Sequence, residues 1–258
     1  MKGRLGIRLW GILNKERPDS MNYQIAETIL KNIFELADTS SNGLAKLCNV
    51  SKPSISRFCK ELGYKDFYDF RLDAEKYTVS DHKISAYKNI KELGMLRAFC
   101  ENCKNYIDSL EKNVNEVELM ELARAIAEFQ QVYIMGHLQS GGTAFNMQYN
   151  LFEVRKMTEA FSDISHQKEV FRQLSGRELI IIFSVSGKFF QDYFEQGVPD
   201  VPNGVKIYMI TSNQEIPDMK GVKVIRCDTS GDIAACNLSL EIIANIIVLK
   251  YKNYVEMS

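Results

Sequence analysis

Along the first half of the chain, apolar residues recur three or four positions apart, the spacing of a helix that buries one face. Ile25, Ile29 and Ile33 share such a face, with Ser20 placed to cap the helix before them, so residues 5–36 read as helical. Leu44, Ala45 and Cys48 give a short helix. Asn49 follows where the chain must reverse, a position that needs the left-handed conformation Asn tolerates. Val50 plugs the corner, Ser51 is a helix cap, and Pro53 fits a first turn, where its missing N–H costs nothing. Ile55, Phe58, Cys59 and Leu62 then form one stripe, which Gly63 ends. Phe67, Phe70, Ala74 and Tyr77 give a further helix of core-facing aromatics that closes a small all-α domain at residue 77. Residues 78–114 read as a helical linker, with helical spacing from Ile84 to Leu110. Asn115 caps a clean amphipathic helix carrying Leu119, Leu122, Ala123 and Ile126.

At Gln131 the period changes. Short continuous apolar runs at 132–135, 179–183, 205–210 and 222–227, with a weaker one at 159–161, alternate with helical stretches, the last from Ile233 to Tyr254. Strands that are apolar throughout, separated by helices, imply a parallel sheet covered on both faces. Residues 115–258 therefore form an α/β domain. Ligands of such sheets gather at the carboxyl ends of the strands. Here those ends carry His137 to Thr143 and Ser184 to Gly187, small and hydroxyl residues suited to holding an anion at a turn.

Charge sharpens the contrast between the halves. The 258 residues carry a net charge of −1, yet residues 1–77 hold thirteen Lys/Arg against ten Asp/Glu. From Ser40 to Lys65, Lys46, Lys52, Arg57, Lys60 and Lys65 face only Glu61. The wet face of the second short helix carries Lys52, Ser54, Ser56, Arg57 and Lys60. Arg and Ser can read base edges in a major groove, while Lys52 and Lys60 suit phosphate. That chemistry points to double-stranded DNA.

Six cysteines in a chain of this length make no disulfide framework. Cys100 and Cys103 have the spacing of a metal or redox pair but no accompanying cluster, so no metal or cofactor is expected. His82, His137 and His166 have no partner that any motif supplies, and no catalytic residue is assigned. The N-terminal residues lack a signal-peptide core and no run is long enough to span a membrane, which predicts a cytoplasmic protein.

The run Leu44 to Arg71 resembles the helix-turn-helix of RpiR-family bacterial transcription regulators, through Leu44, Ala45, Val50, Ser51, Ser54, Ile55, Ser56, Arg57, Phe58, Leu62, Gly63, Tyr64 and Phe67. Asn49 stands where that family has Gly. The later half resembles the sugar-isomerase (SIS) domain that follows in such regulators, where two turns hold a phosphosugar. Gly136 and Ser140 match the first turn, with Leu138 in place of its middle Gly; Ser184, Ser186 and Gly187 match the second, with Phe189 in place of Thr. The resemblance implies a homodimeric regulator of carbohydrate genes with Ser140, Ser184, Ser186 and Gly187 at a phosphosugar. Leu138 and Phe189 would make that pocket tighter and more apolar. Two other readings stay open: a sugar-phosphate isomerase, and a DNA-binding regulator whose SIS-like domain only dimerises.

Overall fold

The computed structural model describes residues 5–78, 94–194, 196–227 and 233–257, the side chains of 76–78 and 233–236 excepted. The Tyr77 side chain, His82 and Ile84 thus lie outside the described residues. The chain divides into two compact units, Met1–Ile84 and Ser85–Ser258.

The first unit is helical: α1 (Leu5–Lys15), α2 (Met21–Lys31), a 3₁₀ segment (Ile33–Asp38), α3 (Ser41–Leu47), α4 (Lys52–Glu61) and α5 (Phe67–Thr78). The caps follow the sequence. Ser20 accepts from the Tyr23 amide at 3.1 Å, Ser40 from Gly43 at 3.0 Å and Ser51 from Ser54 at 3.3 Å, each satisfying an N–H that the helix leaves free. One core joins Leu5 and Leu9 of α1 to Ile25 and Ile29 of α2, Leu44 of α3, Ile55 and Phe58 of α4, and Phe70 of α5. Val50 packs against it from the turn.

In the second unit, α6 (Met95–Asn113) and α7 (Glu116–Glu128) precede the sheet. Asn115 caps α7 by accepting from Val117 at 3.0 Å. The rest alternates: β1 (Gln131–Gly136), α8 (Gln139–Glu153), β2 (Glu159–Phe161), α9 (Ile164–Gln173), β3 (Glu178–Phe183), α10 (Phe189–Tyr193), β4 (Lys206–Thr211), β5 (Val222–Arg226) and α11 (Ile233–Met257). The five strands are all parallel, in the order β2-β1-β3-β4-β5. Successive residues of β3 alternate between two cores, as the pleat requires. Leu179, Ile181 and Phe183 pack with α7, α8 and α11; Ile180 and Ile182 pack with Phe171 of α9 and with Phe189 and Phe190 of α10. This is the doubly covered parallel sheet that the apolar runs imply. The helix after the Ser184 turn is short, five residues ending at Tyr193, ahead of Gly197, Pro199 and Pro202.

Just before β3 the chain makes a small acid-centred turn. The Glu178 carboxylate accepts from the backbone amides of Ser175, Gly176 and Arg177 and from the Ser175 hydroxyl. Although burial opposes ionisation, these bonds outweigh it and hold the carboxyl below its usual pKa. The turn is structural: it fixes the entry of the central strand.

Candidate nucleic-acid interface and ligand turns

α3, the reversal and α4 form a helix-turn-helix. Asn49 adopts φ 52°, the left-handed conformation the reversal requires, and its neighbour Val50 donates back to the Ala45 carbonyl at 2.9 Å. The buried stripe of α4 is Ile55, Phe58 and Cys59, continued by Leu62, as the spacing predicts. Lys52, Ser56, Arg57 and Lys60 are exposed together on the other side. Among the described residues, none of Lys46, Lys52, Arg57, Lys60 and Lys65 forms an ion pair, and Glu61 accepts instead from Asn22 of α2 at 2.8 Å. The exposed face therefore presents uncompensated positive charge.

Ser54 corrects the sequence reading. It is only 7 % exposed, and its hydroxyl lies 2.9 Å from that of Ser51, under the cap. Its position flanks the apolar stripe, and the cap draws it inward, so it braces the start of α4 instead of standing on the wet face.

Arg8 is a contributor that the sequence pattern did not single out. From α1 it donates to the Leu62 carbonyl at 2.7 Å and lies 4.5 Å over the Tyr64 ring. A cation there satisfies a carbonyl that the end of α4 leaves free and complements the helix dipole. Tyr64 in turn donates to Asp73 of α5 at 2.6 Å. These contacts fix the angle at which α4 presents its face.

In the second unit, the sheet order reverses between β1 and β3, whose final residues Gly136 and Phe183 are register partners. The two Ser-containing turns thus leave the same edge of adjacent strands, at the switch point where open α/β sheets take ligands. Gly136 has a packing role: a Cβ there would lie 2.2 Å from the Ser140 carbonyl oxygen. Only Gly lets α8 start so close to the strand. Leu138 keeps a glycine-like backbone, φ 52° and ψ −119°, which is strained for a leucine. Its side chain is exposed at the mouth of the turn.

The expected ligand residues differ in access. Ser186 is exposed and its hydroxyl accepts from the Lys188 amide at 3.3 Å. Ser184 and Ser140 are buried. Gly187 is buried at φ 67°, where a Cβ would meet Ile216 and Thr211. Asn213 and Thr211, at the end of β4, brace this turn: Asn213 donates to the Ser186 carbonyl at 2.9 Å and Thr211 to that of Val185 at 3.3 Å.

Phe189 also corrects the sequence reading. It does not narrow a pocket at the turn. It is 2 % exposed and packs in an aromatic cluster with Phe190, Tyr193 and Phe194, at ring-centroid distances of 5.2, 5.6 and 5.9 Å. Gln167 is a second residue that the sequence hides. It is fully buried in α9 and donates to the carbonyls of Gly136 and Phe161 at 2.8 and 2.6 Å, tying together the ends of β1 and β2. A Gln in a charged helical run reads as solvent-facing, and nothing in the sequence marks it.

The chemistry of acid and base at these turns is muted. Burial lowers the His137 pKa to about 4, against a small opposing effect of Asp163, so its ring is neutral near pH 7. The ring stands edge-on to Tyr193 at 5.4 Å. His166 has a partner that no motif supplied: Asp163 caps its amide at 3.0 Å and lies 3.8 Å from its Nδ1. Burial raises the thiols of Cys48, Cys59 and Cys227 to about 11, 12 and 12, which keeps them protonated and unreactive. Among the described residues there is no cluster of metal-binding side chains and no helix long and apolar enough to cross a membrane.

Comparison with known proteins places these features. Residues 15–81 match the helix-turn-helix domain of the rpiR family. An uncharacterized HTH-type transcriptional regulator of Caldanaerobacter subterraneus is 25% identical over 169 residues, 64% of this chain and 59% of that protein. HexR, an HTH-type transcriptional regulator of Pseudomonas aeruginosa, is 21% identical over 180 residues, 67% of this chain and 63% of that protein. In both cases the chain spans less than two thirds of the relative's length. The NanR protein of Vibrio vulnificus, solved in complex with ManNAc-6P, shares the fold with a TM-score of 0.51 at 17% identity, over 98% of this chain and 93% of that one. With its Asn49 reversal and its buried α4 stripe, the first unit carries a helix-turn-helix domain of the rpiR family, and the second unit of the same chain is a parallel α/β sheet domain.

Proposed function

We propose that the chain is a DNA-binding transcription regulator that acts as a homodimer and responds through its second unit to a phosphorylated sugar. The observation that carries the reading is the exposed, unpaired cationic face of α4, with Arg57 and Ser56 as base readers and Lys52 and Lys60 as phosphate contacts. A two-fold dimer needs an inverted repeat, one half-site for each reading helix. The effector shifts the regulator between states of different DNA affinity. The phosphate sits at Ser186 and the Gly187 backbone, an assignment supported by the switch-point position of the turn and by the ManNAc-6P bound to NanR. An isomerase would need an acid/base pair, and the neutral His137 at these turns, facing Tyr193, supplies a poor one.

The burial of Ser140 and Ser184 and the five-residue α10 favour a second reading, in which the SIS-type unit dimerises and binds no sugar. A mobility-shift assay on the promoter of the chain's own gene, run with and without a panel of phosphosugars, tests both. Binding to an inverted repeat that weakens steeply with salt supports the regulator, and absence of specific binding refutes it. Calorimetry then decides the effector. Ser186→Ala should lower phosphosugar affinity by about 1.5–3 kcal/mol, the worth of one charge-assisted hydrogen bond. If no phosphosugar binds the wild type, the dimerisation-only reading holds.

A further inference from the structure

α8 carries two apolar stripes. One, Ala144, Met147 and Leu151, is buried against the sheet. The other, Phe145, Tyr149 and Phe152, faces solvent at 46, 63 and 57% exposure, and Met157 just beyond the helix is 71% exposed. An open groove lies along it, lined by Gln148, Tyr149, Phe152, Met157 and Thr158. Inside, Thr158 is buried and its hydroxyl has no hydrogen-bond partner, although buried polar groups are nearly always paired.

The same stretch is without charge. From Gln139 to Phe152 there is no Asp, Glu, Lys or Arg. A helix with one face in water ordinarily carries charge on that face, whereas the centre of a protein interface is depleted in charge and enriched in Phe, Tyr and Met. The exclusion of both signs has a specific meaning at a two-fold axis. A residue on the axis meets its own copy, so a charge of either sign at the point where the helices cross would face its like. A different partner protein would accept charge here by offering the opposite sign. The area is also of the right order. Aromatic side chains bury about 150–250 Å² each, so the four exposed residues offer roughly 500 Å² of the roughly 800 Å² per partner that a stable interface takes.

We propose that this face of α8 is where a second copy of the chain docks, α8 against α8 across a two-fold axis. The proposal rests on the dimeric reading above and assigns its surface. The partner's apolar side chains fill the groove beside Thr158, and the α8 helices cross near Tyr149.

Sedimentation velocity on the full chain tests it. Wild type should be dimeric at roughly 10 μM. Tyr149→Ser should weaken self-association at least about a hundredfold, because each substitution removes apolar area twice, once per copy. Tyr149→Glu and Tyr149→Lys should each be monomeric, and their equimolar mixture should recover a dimer. Leu96→Glu, at an exposed apolar position on α6, should leave the dimer intact. Far-UV circular dichroism and melting report whether each variant is folded; if the charged variants fail to fold, Tyr149→Ser carries the decision. A Tyr149→Ser protein with the wild-type dissociation constant overturns the proposal, as does a mixture of folded Glu and Lys variants that stays monomeric. DNA binding separates the two levels. A chain that dimerises through another face and binds an inverted repeat removes this surface alone, and a wild type that is monomeric at roughly 10 μM removes the dimeric reading with it.

Discussion

Phe189 stands where the SIS turn that this sequence resembles carries Thr, and on that resemblance alone replacing it by Thr restores a phosphate ligand. The structure predicts the opposite. Phe189 is 2 % exposed, in contact with three other aromatic rings and next to Ile216 and Ile182 in one apolar core. Truncating a buried Phe to Ala costs about 3–5 kcal/mol. Thr restores one carbon of the six that Ala lacks and adds a buried hydroxyl that needs a partner, so Phe189→Thr should cost about 3–4 kcal/mol. In a unit of this size that lowers Tm by about 6–16 °C. Phe189→Leu, which keeps most of the volume, should cost no more than about 1.5 kcal/mol. Urea unfolding followed by far-UV circular dichroism gives the stabilities, and calorimetry gives phosphosugar affinity in the same preparations. A Phe189→Thr protein that melts within about 2 °C of wild type and binds phosphosugar more tightly would place Phe189 at the ligand turn and refute this account.

Arg57→Ala should weaken specific DNA binding by about 1–3 kcal/mol with melting unchanged, because Arg57 is exposed and unpaired. Ser54→Ala should instead lower stability by about 0.5–1.5 kcal/mol and leave sequence preference intact, since its hydroxyl serves the Ser51 cap; competition binding and melting read the two effects separately. The folded-state pKa of His137, about 4, lies below the unfolded value of about 6.5, so the unfolded chain takes up a proton that the folded chain refuses between those limits. Stability from the neutral ring is therefore complete above about pH 6.5 and is lost as pH falls toward 4. Between pH 7 and pH 5 wild type should lose about 1–2 kcal/mol more than His137→Gln, and equal losses in urea unfolding would show that the ring is not buried in its neutral form.

The sequence alone determined the elements whose signals are local. Asn49 at the reversal, Ser51 at the cap and the Ile55–Phe58–Cys59 stripe each depend on a few neighbouring residues, and each appears where its chemistry requires. The central strand was legible for a related reason: a strand buried on both faces must be apolar along its length, as Leu179 to Phe183 is, whereas the edge strand β2 is only partly buried and gave the weakest signal. The family pattern likewise marked the two turns, since the placing of Gly136 and Gly187 follows from backbone approach.

Tertiary structure decided which neighbour each remaining side chain meets. Ser54 lies between the buried stripe and the wet face, and the 3.6-residue period does not say that the cap will pull it in. Phe189 aligns with a ligand residue, yet a five-residue helix against an aromatic cluster turns it into the core. Arg8 and Gln167 act through partners 54 and 31 residues away in sequence, distances over which no periodicity carries information. In α8 the pattern shows two apolar stripes, and either could have been the buried one. Only the packing of Ala144, Met147 and Leu151 onto the sheet leaves Phe145, Tyr149 and Phe152 facing outward.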